Sequence, residues 1–339
     1  MKIKPLDFFE FLINKEINYF TGVPDSLLKE LCLCINESVP SNSHIITANE
    51  GTAVALASGY NLATGKIPLV YMQNSGIGNA INPLLSLCDA EVYSIPILLL
   101  IGWRGEPNIK DEPQHIKQGR IQKKLLETLE IPYVCISEND SNYKNKISSI
   151  LDLAKEKSIP VAVLISKGTF EKHGDSNPLN SYEMVRENVL EIILHKLNEK
   201  SIVVSTTGKT SREIFEIRNK NNQSHSQDFL TVGSMGHCSS IALGIANSKP
   251  SEKVYCIDGD GSMIMHMGSL SSIPKLKPKN FKYILINNEA HESVGGQPTT
   301  AHNFKMKNVA KSMGYDLTLS VSRRVPFLST TMYPLVSSG

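Results

Sequence analysis

Residues 254–299 read VYCIDGDGSMIMHMGSLSSIPKLKPKNFKYILINNEAHESVGGQPT, and this stretch decides the fold. An apolar run of β type, Val254 to Ile257, ends in Asp258-Gly259-Asp260-Gly261-Ser262, and a second, Tyr283 to Ile286, ends in Asn287-Asn288. Two strand ends therefore carry oxygen ligands. In an open parallel sheet all strand C-termini share one edge, so both groups would face one crevice. Small hard cations such as Mg²⁺ take carboxylate, amide and carbonyl oxygens and share them with a substrate's phosphates. The glycines flanking Asp260 leave backbone N–H groups bare at a helix entrance, where a diphosphate can sit. Taken singly, Gly-Asp-Gly and Asn-Asn are also ordinary turn residues.

The surrounding chain narrows the choice. At 339 residues and 41% hydrophobic, it suits two globular domains. The net charge of +2 is small and the basic residues are scattered, which argues against a nucleic-acid partner. Any anionic ligand must be held locally. The six cysteines lack Cys-x-x-Cys spacing and sit mostly in apolar runs, so they are expected as buried, reduced thiols. Acidic residues in the first twenty positions and the lack of a long apolar run predict a cytoplasmic protein with no membrane segment.

Taken in order, the first half alternates strand and helix. Helical spacing begins at Pro5, followed by a strand at 19–21 and a helix over 27–35, for which Asp25 or Ser26 is an N-cap. Glu50 stands between a strand at 44–47 and a small-residue helix. There a carboxylate is favoured by the helix dipole. A strand at 69–73 runs into Asn74-Ser75-Gly76-Ile77-Gly78, whose Gly-x-Gly is too short for a dinucleotide fingerprint. A strand at 95–101 is expected to open into a long polar loop, GWRGEPNIKDEPQHIKQGR (102–120), carrying Arg104, His115, Lys117 and Arg120 beside the only tryptophan, Trp103. Such loops are often functional, although a solvated surface loop has the same composition.

A helix at 121–129, strands at 133–136 and 161–165, and a helix at 143–157 complete the expected first domain, 1–167. Residues 168–182 read as a linker and 183–339 as a second domain. It begins with a helix at 182–197 and a strand at 202–205. The Gly208-Lys209-Thr210 turn is no phosphate loop, because the first glycine of that motif would fall at Val203. Glu213, on the next helix, is expected to be exposed, to meet another subunit, or to lie near the site. A strand at 229–232 leads into Gly233-Ser234-Met235-Gly236-His237 and a helix at 239–246. After Thr300 a helix over 304–313 and a strand over 315–321 are expected. The last seventeen residues, RRVPFLSTTMYPLVSSG, carry no periodic pattern and suggest an altered end to the second domain.

Twenty-five residues separate Gly261 from Asn287, and this resembles the thiamine-diphosphate motif, GDG followed at a set interval by NN. Further stretches carry the resemblance to thiamine-diphosphate-dependent decarboxylases, and within them to the phosphonopyruvate group and next the sulfopyruvate group: GVPDSLL (22–28), ANEGTAVALASGY (48–60), QNSGIGNAINPL (73–84), TTGKTSRE (206–213) and GSMGHCSSIALGIA (233–246). The resemblance implies two doubly wound parallel-sheet α/β domains, pyrimidine-binding then diphosphate-binding, without a middle domain. It implies that Asp260, Asn288 and the Ala290 carbonyl hold Mg²⁺, that Gly259, Gly261 and Ser262 meet the diphosphate, and that Asn74, Met235, Gly236 and His237 line the cofactor. Glu50 would bond N1′ of the aminopyrimidine, promoting the tautomer that takes the thiazolium C2 proton. Asp25 and His115 would handle protons; Ser26, Arg104 and Lys117 would bind substrate. The implied reaction is decarboxylation of 3-phosphonopyruvate in a homo-oligomer, at least a dimer. Sulfopyruvate decarboxylation, a carboligase, and an inactive phosphate-binding relative stay open.

Overall fold

The structure, a computed structural model, describes residues 1–174 and 184–322. The chain divides into two compact units, Met1–Asn177 and Pro178–Gly339. In the first, six strands form a wholly parallel sheet: β1 (Phe20–Gly22), β2 (His44–Ile46), β3 (Leu69–Gln73), β4 (Leu98–Gly102), β5 (Tyr133–Ile136) and β6 (Val161–Ile165). Their spatial order is β2-β1-β3-β4-β6-β5.

Alternation at period two explains why this sheet is buried on both sides. Leu69, Tyr71, Leu98, Leu100, Val161 and Val163 point into one cluster with Phe8, Leu12 and Leu31. Val70, Met72, Leu99, Ile101, Ala162 and Leu164 point into the other, with Ala53, Ala57 and Leu126. Near-continuous apolar strands follow from covering both faces. Phe170, within the expected linker, lies in the first cluster and bridges to Ile3. Residues 175–182 of that linker lie outside the described residues.

The second unit repeats the plan with β7 (Ile202–Ser205), β8 (Asp228–Leu230), β9 (Val254–Gly259) and β10 (Phe281–Ile286), again all parallel, in the order β10-β9-β7-β8. Val204, Val254, Cys256 and Leu285 face one cluster. Val203, Tyr255, Ile257 and Ile284 face the other. Among the described residues no middle domain is present, and the expected architecture of two doubly wound parallel-sheet domains holds.

Three local expectations change. Residues 102–120 are not one loop, because a helix begins at Pro113 and runs to Thr128. Proline at the first helical turn starts it, as proline's missing N–H costs nothing there. The helix expected from Leu27 starts at Lys29, since the Asp25 carboxylate instead accepts the N–H groups of Leu27 and Leu28 in a turn. Residues 315–321 form no strand; Tyr315 is held through its hydroxyl to Leu270 O at 3.2 Å. The expected altered tail from 323 lies outside the described residues. All six cysteines are free, and five are buried.

Candidate active site

The first unit's order places β2, β1, β3 and β4 side by side, so the residues that follow them gather on one edge. Asp25 follows β1, Glu50 follows β2, Asn74 follows β3 and Arg104 follows β4. Asn74 and Arg104 are tied reciprocally: Asn74 Nδ2 donates to Arg104 O at 2.8 Å, and Arg104 N donates to Asn74 Oδ1 at 3.1 Å. The Arg104 guanidinium is oriented by Asp111, to which Nε donates at 2.8 Å and Nη2 also donates. Its Nη1 donates to Ser26 Oγ at 2.8 Å. Burial pushes Asp111 upward, but the bonds from Arg104 and from the backbone N–H groups of Gly105 and Glu112 win, holding its carboxyl well below the usual range.

Asp25 is 1% exposed. Oδ2 is used by the turn and Oδ1 has no hydrogen-bond partner. Burial raises its pKa to about 6 against the opposing backbone bonds and Arg104. Gly102 is what allows this placement, because a Cβ there would collide with Asp25 Oδ2. Glu50 is the first residue of the helix Glu50–Thr64, where Asn49 is the cap, accepting Thr52 N at 2.9 Å. Relieved of capping, the Glu50 side chain is buried and accepts from Asn79 Nδ2 at 2.8 Å. Desolvation raises its pKa against the bond from Asn79. Gly76 passes so close that a Cβ would overlap the Glu50 carboxylate.

His115 is buried, with Nδ1 unpartnered, and burial together with Arg104 lowers its pKa. Lys117 is exposed and lies two residues further along the same helix, so it turns away from His115. The expected cluster of four cations therefore does not assemble: Arg104 is matched by Asp111, and Lys117 and Arg120 are exposed.

In the second unit, β9 and β10 are paired neighbours, which brings their ends together. Asp260 is 3% exposed; Thr299 Oγ1 donates to its Oδ2, and the Asn288 backbone N–H is also within hydrogen-bonding reach. Burial outweighs these bonds and lifts Asp260 to about 6. Ser262 Oγ accepts Gly236 N at 3.0 Å, fastening the Met235-Gly236-His237 loop to the start of the short helix Asp260–Met265. His237 is exposed, and its ring lies 4.4 Å from that of His266. Asp258, one residue before the motif, serves the core: its Oδ2 accepts the Tyr283 hydroxyl at 2.8 Å.

Asn288 Oδ1 accepts Ala290 N at 3.2 Å, and Asn288 Nδ2 donates to Glu292 Oε2 at 3.3 Å. Glu292 is in turn bonded by Arg186 Nη1 at 2.5 Å and Lys209 Nζ at 2.6 Å. Glu213, expected at the surface, at a subunit contact or near the site, is the bidentate partner of Arg186 at 2.8 and 2.7 Å. Among the described residues no three His, Cys, Asp or Glu side chains cluster as a metal site. An Mg²⁺ site of one carboxylate, one amide and one backbone carbonyl would not form such a cluster, and Mg²⁺ commonly completes its shell with phosphates and water. Both polar atoms of Gln297, between Asn288 and Thr299, are buried without partners, as fits a loop that closes on a polar ligand. Sequence reasoning missed Asn79, Asp111, Glu292 and Thr299. Asp111, Glu292 and Thr299 sit in polar loops, but nothing local shows what they touch.

Fold and strand-end motifs define a class, an enzyme built from two cofactor-binding α/β domains. Residues 7–126 match the family described as "Thiamine pyrophosphate enzyme, N-terminal TPP binding domain", and residues 206–325 match the corresponding C-terminal TPP binding domain. A phosphonopyruvate decarboxylase of Streptomyces viridochromogenes is 32% identical over 312 residues, 87% of this chain and 76% of that protein. One from Streptomyces hygroscopicus is 30% identical over 92% of this chain and 80% of its own length. The sulfopyruvate decarboxylase subunit beta of Methanocaldococcus jannaschii is 39% identical over 132 residues, 39% of this chain and 67% of that subunit. The chain belongs to the thiamine pyrophosphate enzyme family, among its 2-oxo acid decarboxylases.

Proposed function

We propose that the chain decarboxylates 3-phosphonopyruvate to phosphonoacetaldehyde and CO₂, using thiamine diphosphate and Mg²⁺. The observation that carries the substrate choice is Arg104, fixed by Asp111 and Asn74 with Nη1 turned to Ser26, next to the buried Asp25. A guanidinium has five N–H donors, of which the bonds to Asp111 and Ser26 use three. Two N–H groups are left for a tetrahedral oxyanion, which arginine matches by forked hydrogen bonds. Near-full-length similarity to two phosphonopyruvate decarboxylases supports the same choice.

Thiamine diphosphate, when bound, supplies the carbanion chemistry and the electron sink for loss of CO₂. Glu50 would hold the aminopyrimidine, its raised pKa suiting a carboxyl that shares a proton with a ring nitrogen. Asp25, poised near pH 6, and neutral His115 would move protons at the substrate carbon. Asp260, Asn288 and the Ala290 carbonyl would take Mg²⁺, with the Gly261 and Ser262 N–H groups on the diphosphate and the Met235–His237 loop beside it. Two or more chains would form the working assembly, which light scattering tests directly.

Local similarity to sulfopyruvate decarboxylase subunit beta favours a second reading, with sulfopyruvate as substrate. Phosphonate is close to a dianion at neutral pH and sulfonate a monoanion, so an arginine site should prefer the former. Purified protein assayed with phosphonopyruvate, sulfopyruvate and pyruvate, following CO₂ and aldehyde, separates the readings. Arg104→Ala should lower kcat/KM for phosphonopyruvate by about 1.5 to 3 kcal/mol and spare pyruvate. Equal loss on all three would mean that Arg104 holds the fold, and a sulfopyruvate preference would replace the substrate.

A further inference from the structure

Beyond β4 the connections of the first sheet double back. β4 passes the chain to β5 at the far edge, and β5 returns it to β6, which lies between them. In open α/β sheets, ligand crevices form outside the strand carboxyl ends where connections diverge in this way. A cavity of about 340 Å³ occupies that place. Its walls include Trp103 and Glu106 from the segment after β4, Ser137 after β5, Ser166 after β6, and Arg120 and Lys123 from the helix Pro113–Thr128. None of these belongs to the Asp25, Glu50, Asn74 and Arg104 group. Trp103 is committed to this side, with its indole N–H donating to Gly119 O at 2.9 Å.

The charges in the cavity are unmatched. Lys123 Nζ stands 4.9 Å over the Trp103 ring. Among the described residues, neither Arg120 nor Lys123 forms an ion pair with a carboxylate. Glu106 is also without an ion pair; its Oε2 is closed off from solvent with no hydrogen-bond partner, so Oε1 is the oxygen a ligand can reach. A plain anion would answer the two cations and leave Glu106 repelled; a plain cation would do the reverse. A molecule carrying both charges answers both, and Trp103 adds apolar surface to the same cavity. The volume is at the lower end of ligand cavities, about 300 to 1,000 Å³.

We propose that this cavity is a second binding site, for a small zwitterion whose ammonium group meets Glu106 and whose carboxylate, sulfonate or phosphonate meets Arg120 and Lys123. Trp103 is the chain's one tryptophan, so its emission reports on this cavity. The full-length protein, with thiamine diphosphate and Mg²⁺ present, is titrated with β-alanine, taurine and 2-aminoethylphosphonic acid, which place the same ammonium two carbons from three different acids. Propionate, ethanesulfonate, ethylphosphonate and ethylamine are the controls, each carrying charge of one sign only. At least one zwitterion should give a saturable change and bind about tenfold more tightly than its one-sign controls. Glu106→Gln should abolish that preference, and Arg120→Ala or Lys123→Ala should weaken the zwitterion by a similar factor, with thiamine diphosphate affinity and Tm unchanged. The absence of saturable binding in both fluorescence and calorimetry overturns the proposal. So does a Glu106→Gln variant that binds zwitterions as the parent does.

Discussion

The Thr299 hydroxyl donates to Oδ2 of Asp260 at 2.5 Å across 39 residues of chain, so the loop after Asn288 is tied to the GDG turn by one side-chain bond. That bond favours the ionised carboxylate, opposing the burial that lifts Asp260 to about 6. Thr299→Val keeps the shape and removes the bond, which raises the pKa further. Mg²⁺ and thiamine diphosphate should then bind about five- to tenfold more weakly at pH 6, with a smaller loss at pH 8. Calorimetry at both values is the check, and Asp260→Asn should weaken cation and cofactor together at either. Undiminished affinity of Thr299→Val at pH 6 would leave the hydroxyl a packing contact.

Asp25 gives a stability prediction with a definite sign. Its folded pKa of about 6 exceeds the unfolded value of 3.8, so the native state holds the proton more tightly. The corresponding stability is complete below the unfolded value and is lost as pH rises through about 6. Asp25→Asn removes the buried charge while keeping an oxygen to accept from Leu27 and Leu28. The variant should be more stable than the parent at pH 8, by up to about 3 kcal/mol, and level with it at pH 4. Urea titrations at the two pH values measure this. Turnover should fall, which would make Asp25 a group retained at a cost in stability.

Glu50→Gln keeps size and burial but cannot share a proton in the same way. Cofactor affinity should be little changed while turnover falls by about 10² or more. Exchange of the cofactor's C2 proton, followed by NMR, should slow in parallel. Gly76→Ala is the companion test, since its Cβ would push against the Glu50 carboxylate without altering its chemistry. It should reproduce part of the loss with an unchanged circular dichroism spectrum.

The Arg186 guanidinium bridges Glu213 and Glu292, and Glu292 reaches Asn288. Burial raises and these ion pairs lower the pKa of Glu292, with the pairs prevailing. Arg186→Ala should loosen the loop over 287–299 and leave Glu213 unmatched, with Glu292 held by Lys209 alone, at about 1.5 to 3 kcal/mol. Faster hydrogen exchange across that loop, with the sheet unaffected, is the expected result. Uniform exchange in variant and parent would show that the loop is held elsewhere.

Strand β3 was expected at the bounds it has, because a strand buried on both faces is a continuous apolar run that needs no context to recognise. The GDG and NN motifs were equally plain, each being contiguous and placed at a strand end. The helix Pro113–Thr128 reads partly as loop in the sequence because only His115, Gly119, Gln122 and Leu126 face inward, and three of those four are not apolar side chains. Periodicity carries little signal when the buried positions are polar. Asp111 shows the same limit for charge. Arg104 reads as a free cation in the chain, and only the fold brings a carboxylate onto it.

Order along the chain thus determined two parallel α/β domains and the polar strand ends, and motif resemblance the cofactor class, since each rests on short stretches of sequence. Which groups are neutral, which cations are already matched and which carboxylates lack a partner depended on contacts between segments tens of residues apart. Asp25 near pH 6, Lys117 turned outward and Thr299 on Asp260 are of that kind. Desolvation and pairing are properties of neighbours in space, and tertiary structure alone chose those neighbours.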